Sequence, residues 1–286
     1  MKFALCLLSV VAFGQTARVT IGDLNKLPAR AADQKIIYGP APQQFGELRL
    51  PKGKGPHPVV VIIHGGCWGD FADATYMSNL STRLADAGAA TWNIEYRLVH
   101  QPGGGWPGTI QDAGAAIDYL RKIARANHLD LKRVVTTGHS AGGHLALWAA
   151  GRKNITKKSP LYVRNPLPIS ATVPIAGFVD LEAYYEYGLN VCGDRERQTL
   201  GGTVTEVPDH YRAASPITLL PIRIPQTLLF GDEDRAVPGR LFSAYITAAK
   251  PEVINVPGAA HFEFLMPGTQ AGKILFEKLL RAAKLR

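Results

Sequence analysis

Residues 138–144 read Gly138-His139-Ser140-Ala141-Gly142-Gly143-His144. This is G-x-S-x-G, placed between a β-branched run and a helical pattern. A serine hydroxyl is a weak nucleophile until a turn presents it and a base takes its proton. In a sharp strand-to-helix turn, a Cβ two residues to either side of the serine would clash, and both positions are glycine here. The helix opening at the turn aims its first N–H groups at developing negative charge. Ser140 is therefore the candidate nucleophile of an acyl transfer.

Acyl transfer passes through a tetrahedral oxyanion, which needs fixed N–H donors. The apolar run 58–63 ends in His64-Gly65-Gly66-Cys67-Trp68-Gly69. Two adjacent glycines let the backbone turn its amides toward one point. The candidate donors are Gly66 and Cys67 in this loop and Ala141 after the nucleophile. His64 is expected to stabilise the loop, and Cys67 to act through its backbone.

A G-x-S-x-G nucleophile of this type takes its acid and base from downstream, in the order Ser, Asp/Glu, His. Of the eight histidines, His210 and His261 lie well beyond Ser140. His261 follows the last strand candidate on the small-residue loop Pro257-Gly258-Ala259-Ala260, and is the expected base. The acid should follow the preceding strand, where the chain reads Gly231-Asp232-Glu233-Asp234-Arg235-Ala236-Val237-Pro238. Asp234, deepest in that turn, is preferred, with Asp232 the runner-up. It would orient His261 and stabilise its imidazolium.

These residues need a scaffold. Strand candidates at 58–63, 90–96, 133–137, 171–176, 226–230 and 252–256 alternate with helical patterns at 76–87, 109–127, 144–150 and 271–285. The run Pro58-Val59-Val60-Val61-Ile62-Ile63 is apolar throughout, as in a strand covered on both faces. The alternation predicts an α/β class with a parallel sheet and helices on both sides. No Pro/Ser-rich linker divides it, so one domain is expected over 15–286. Residues 178–220 break the rhythm and read as a lid-like insertion. Its Tyr184, Tyr185 and Tyr187 either line an acyl or aryl pocket or pack the insertion onto the body. Glu95 and Arg97 are expected to pair with each other near a strand end.

The chain has 286 residues, 46% hydrophobic and 19% charged, with 29 Gly, 20 Pro and 3 Cys. That supports a sizeable core and excludes a disulfide scaffold or a low-complexity fibre. Residues 1–14 carry one lysine and then an apolar stretch, and read as a signal peptide. Export to the periplasm or beyond is expected. Removal of residues 1–14 takes Cys6 and leaves Cys67 and Cys192, which an oxidising compartment would allow to pair; spacing does not say whether their geometry permits it. The formal charge of +9 is scattered, with clusters at Arg152, Lys153, Lys157 and Lys158 and along 273–286. None is interleaved with aromatics, so a solvated surface is expected and no nucleic-acid partner. Nor is stable membrane insertion expected. There is no H-E-x-x-H, zinc-spaced Cys/His set, Walker loop or dinucleotide fingerprint, so no metal and no cofactor is expected.

Taken together, His64-Gly65-Gly66-x-Trp68, Tyr96-Arg97-Leu98, the Ser140 motif, Gly231-x-x-Asp234-x-x-Val237-Pro238 and His261 resemble the α/β-hydrolase superfamily. The H-G-G-x-W loop is similar to that of the esterase, feruloyl/acetyl-esterase-like and arylformamidase-like branch. The resemblance implies a doubly wound, mostly parallel sheet of about eight strands, with a lid inserted after strand six. It also implies a serine hydrolase acting on a small-molecule carboxylic ester through an acyl-enzyme. Alternatives are an arylformamidase-like amide hydrolase, a prolyl-type exopeptidase and an inert binding protein on the same fold. One departure is Cys67, where the lipase-type H-G-G-G pattern has glycine; it leaves the choice of oxyanion donors open.

Overall fold

The computed structural model describes residues 18–186 and 191–285. The expected signal segment 1–14 and Tyr187 lie outside the described residues. Eight strands form one sheet: β1 (Gln34–Ile37), β2 (Phe45–Arg49), β3 (His57–Ile63), β4 (Ala90–Ile94), β5 (Leu129–His139), β6 (Ala171–Ile175), β7 (Thr227–Gly231) and β8 (Glu252–Val256). Their order is β1-β2-β4-β3-β5-β6-β7-β8. β1 and β2 pair antiparallel at one edge, and β2 is antiparallel to β4. From β4 through β8 every pairing is parallel.

The helices are α1 (Ile21–Asn25), α2 (Ser78–Asp86), α3 (Gly108–Ile123), α4 (Ala141–Gly151), α5 (Leu181–Glu186), α6 (Arg195–Leu200), α7 (Pro208–Ala214), α8 (Ser243–Ala249) and α9 (Gln270–Ala282). They divide between the two faces because strand side chains alternate. Val59, Val61 and Ile63 of β3 point into the cluster formed with α3 and α4. Val60 and Ile62 point into the cluster formed with α2 and α9. Helix α3 buries Ile110, Ala113, Ile117 and Leu120, spaced by three and four residues as one helical face requires. In α4 every residue is buried, so this helix has no solvent face. It fills the centre of its layer and starts directly at the candidate nucleophile.

Six of the eight strands lie where apolar runs predict them. The two at the antiparallel edge do not announce themselves. β1 is largely exposed and lacks a hydrophobic run, and β2 alternates around Gly46 and Glu47. β5 is longer than 133–137 and carries the chain to His139. Helix α4 begins at Ala141, three residues before the helical pattern.

The segment between β6 and β7 folds into α5, α6 and α7 plus a 3-10 turn, Pro216–Leu219. Two side chains of α4 hold α7: Trp148 Nε1 donates to Ala213 O at 3.0 Å and His144 Nε2 donates to Ala214 O at 2.9 Å. Tyr184 is buried against Phe178, their ring centroids 4.2 Å apart. Tyr185 is 38% exposed. The expectation of a solvated cluster at Arg152 is corrected: the guanidinium is buried and pairs with Asp118 and Gly114 O.

Candidate active site

The turn between β5 and α4 holds Ser140 at φ 56°, ψ −120°, a region that a residue with a side chain enters only when its surroundings force it. The surroundings do so. Ser140 N donates to Ile175 O at 2.9 Å and His144 N donates to Ser140 O at 3.0 Å. The flanking glycines are there for close approach. A Cβ on Gly138 would come within 2.3 Å of Gly142 O, and one on Gly142 within 2.1 Å of Ile63 O. Ala141 is the first residue of α4, so its N–H has no partner within the helix.

The loop after β3 lies against this turn. A Cβ on Gly65 would stand 3.0 Å from Ser140 Cβ. Gly66, Cys67 and Trp68 all have positive φ, so the loop coils tightly past the serine. Among the described residues nothing accepts a hydrogen bond from the amides of Gly66, Cys67 or Ala141. His64 is buried beneath the loop. Its Nδ1 donates to Gly65 O and its Nε2 to Glu95 Oε1, both at 2.8 Å. Both partners are acceptors, so both nitrogens carry protons. Burial alone would push the imidazolium down, but the charge and hydrogen bond of Glu95 outweigh it and raise the pKa. The Gly65 carbonyl and the Gly66 N–H belong to one planar peptide, so the bond from His64 also fixes the direction of the Gly66 N–H.

Glu95 therefore does not pair with Arg97. It accepts from His64, from Tyr96 N at 3.0 Å and from Ala74 N at 3.1 Å. Arg97 makes a two-pronged contact with Asp112 of α3, 2.7 Å on each prong. The reason is that β4 stops at Ile94. The chain turns there, sending one side chain toward the β3 loop and the other toward α3.

Of the three competing carboxylates, Asp234 meets His261. Its Oδ2 accepts from His261 Nδ1 at 2.8 Å, and its Oδ1 accepts from Ala236 N at 2.8 Å and Val237 N at 3.0 Å. Burial alone would raise this carboxyl. The hydrogen bond and charge of His261, with the two amides, more than offset that and hold it below its ordinary value. Asp232 instead accepts from Gly258 N at 2.7 Å, bracing the loop that carries His261. Glu233 pairs with Arg18. The His261 ring lies 4.4 Å from the ring of His139, the residue before Ser140. His210 is elsewhere. It stacks on Trp106 at 4.1 Å and lines a cleft of about 560 Å³ that includes none of Ser140, Asp234 and His261.

Two participants carried no sequence signal of their role: Glu95, and Tyr76, whose hydroxyl accepts from Gly65 N at 2.5 Å. The pairing that the sequence left open for Cys67 and Cys192 is formed. Cys192 forms a disulfide with Cys67 across a separation of 125 residues, tying the β3 loop to the segment between β6 and β7. Among the described residues no cluster of His, Cys, Asp and Glu is arranged to hold a metal ion. None of their helices is long and apolar enough to cross a membrane.

Comparison with known proteins agrees with this architecture. The chain is 26% identical over 255 residues to Esterase LipC of Mycobacterium tuberculosis, covering 84% of this chain and 62% of LipC. It is 28% identical over 252 residues to Esterase LipQ of the same organism, covering 84% and 59%. The chain thus spans about three fifths of the length of these curated relatives. A truncated carbohydrate esterase from gut microbiota superposes with a TM-score of 0.72 at 25% identity, covering 87% of this chain and 95% of that one. The model of the family described as BD-FAE matches residues 47–244, well over half of the sequence. With the sheet order, the serine turn and that match in agreement, the chain has the α/β-hydrolase fold and belongs to the BD-FAE family.

Proposed function

We propose that the protein is a serine carboxylic-ester hydrolase. The observation that carries this reading is the 2.8 Å Asp234–His261 bond set beside the strained turn at Ser140. Asp234 occupies Nδ1 of His261, which leaves Nε2 as the basic nitrogen. In the proposed reaction the Ser140 hydroxyl attacks the ester carbonyl as His261 Nε2 takes its proton. Asp234 holds the tautomer and stabilises the imidazolium. The amides of Gly66, Cys67 and Ala141 receive the oxyanion. The alcohol leaves with the proton from His261. Water, activated by the same histidine, then cleaves the acyl-enzyme and frees the acid.

The substrate in this reading is a small-molecule ester of modest size, and the esterase names of LipC and the gut carbohydrate esterase support it. Action outside the cytosol is part of the proposal, and the Cys67–Cys192 disulfide supports it, since such bonds persist in oxidising compartments. The segment 178–220 is proposed to border the substrate site, because the disulfide anchors it beside Cys67. The test is hydrolysis of short and long nitrophenyl esters, acetylated sugars and N-formylkynurenine, with a fluorophosphonate probe in parallel. Ser140→Ala should lose ester turnover by about four or more powers of ten and lose the covalent adduct. Wild-type turnover in that variant would refute the assignment, and preference for the N-formyl amide would replace the ester by the amide.

A further inference from the structure

We propose that Tyr76 and His139 are positioning residues: they join the oxyanion loop to the loop carrying His261 through one hydrogen-bonded chain, so that donors and base are set together. The proposal rests on the hydrolase reading above and deepens it.

The chain is read from its ends. His139 Nε2 lies 2.8 Å from the backbone carbonyl of His261. A carbonyl only accepts, so Nε2 carries the proton. The ring is buried between Tyr76, His261 and Phe262. Burial, with the neighbouring His261, lowers its pKa to about 3, so the ring is neutral. A neutral ring protonated at Nε2 has a lone pair at Nδ1. The Tyr76 hydroxyl, 3.2 Å away, must therefore donate to it. That leaves a lone pair on the Tyr76 oxygen, and the Gly65 amide donates to it at 2.5 Å. Every proton in the series has one possible direction: Gly65 N–H to Tyr76 oxygen, Tyr76 O–H to His139 Nδ1, His139 Nε2–H to His261 oxygen.

The consequences are geometric. Gly65 is held on both sides, its amide by Tyr76 and its carbonyl by His64. The two peptides that flank the Gly65 Cα are thus each held by one side chain, the first by Tyr76 and the second, which bears the Gly66 donor, by His64. At the other end, the His261 backbone is tied to the residue that immediately precedes Ser140. The middle of the chain is a neutral ring 4.4 Å from the His261 ring, which has to accept a positive charge during turnover. A neutral neighbour adds no repulsion to that step.

The test uses purified full-length enzyme and a short-chain nitrophenyl ester, with Ser140→Ala alongside. Tyr76→Phe keeps the ring and removes the link; kcat should fall about tenfold or more with KM within about twofold, because a sub-ångström shift in the reacting groups acts on the transition state. His139→Gln can still donate to the His261 carbonyl, whereas His139→Leu cannot, so the glutamine variant should retain several-fold more kcat. Tyr76→Phe combined with His139→Leu should lose less than the product of the single losses, as members of one chain do. Wild-type kcat in Tyr76→Phe, or equal losses in the two His139 variants, overturns the relay while leaving the hydrolase reading intact. If Tyr76→Phe does not fold, the comparison of the two His139 variants decides alone. Full activity in Ser140→Ala would instead remove the hydrolase reading and the relay with it.

Discussion

At the residue scale the candidate site is a set of side chains whose neighbours decide their charge. Asp234 is fully buried yet anionic because His261 and two amides supply three hydrogen bonds. Asp234→Asn keeps the size but reverses the hydrogen-bond demand on Nδ1, and should lower kcat by about three to four powers of ten. A nitrophenyl ester assay of this variant beside Ser140→Ala measures it, and a loss of less than tenfold would be inconsistent with the role. The same environment makes stability depend on pH. A carboxyl held below its ordinary value stabilises the fold above the ordinary carboxyl range, and that contribution is lost as pH falls through the lowered value. His64 works in the opposite sense. Its raised pKa stabilises the fold below the ordinary histidine range and ceases to do so as pH rises through the raised value. Urea midpoints of the wild type should therefore fall at both the acid and the alkaline end. His64→Ala should cost about 3–5 kcal/mol at neutral pH, since it leaves the Glu95 carboxylate buried without its charge partner. Part of this was legible in the chain order. The order Ser, Asp, His named three candidate groups, and it is Asp234, preferred over Asp232, that meets His261. The Tyr76 and Glu95 contacts were not legible: Tyr76 reads only as the start of a helical pattern, and Glu95, expected to pair with Arg97, lies just past the end of β4, where a turn sends it toward the β3 loop.

At the element scale the site depends on how closely α4 approaches β3. Gly142 sits in the first turn of α4, and a Cβ there would meet Ile63 O at 2.1 Å and His64 O at 2.4 Å. Those are backbone atoms of the strand and of the candidate oxyanion loop, so neither can step aside alone. Gly142→Ala should destabilise the protein by several kcal/mol, on the order of 3 or more, and separate Ser140 from the candidate donors. Thermal unfolding of this variant beside Gly268→Ala, where a Cβ meets nothing within 4 Å, checks it; equal melting points would contradict the packing argument. The strand-turn-helix unit was legible because its demands are local: an apolar run, a glycine pair and an apolar helix written in consecutive residues. The helices α5, α6 and α7 were not, since they have six, six and seven residues. Helices this short have no stability of their own and exist because Tyr184, Leu200 and Tyr211 are packed into the body. No periodicity over six residues can announce a contact made elsewhere.

At the scale of the whole molecule, two segments far apart in sequence meet at the Cys67–Cys192 disulfide. It joins the candidate oxyanion loop to the segment between β6 and β7, and both cysteines are buried. Closing a loop of 125 residues in the unfolded chain removes entropy that corresponds to about 5 kcal/mol, and native disulfides deliver about 2–5. Cys192→Ser should lower the stability of the protein by that amount. Reduction of the wild type with dithiothreitol should produce the same loss, while the variant should not respond to reductant. Because Cys67 follows Gly66 directly, the freed loop should also hold its amides less well, so kcat should fall in the reduced wild type and in Cys192→Ser alike. Urea denaturation and ester turnover, each with and without reductant, separate the two effects. A fall in stability with unchanged kcat would show that the cross-link braces the fold and leaves the Gly65 clamp of Tyr76 and His64 to position the donors. Unchanged stability in both proteins would mean that the hydrogen bonds of α4 to α7 and the burial of the segment's apolar side chains already hold it in place.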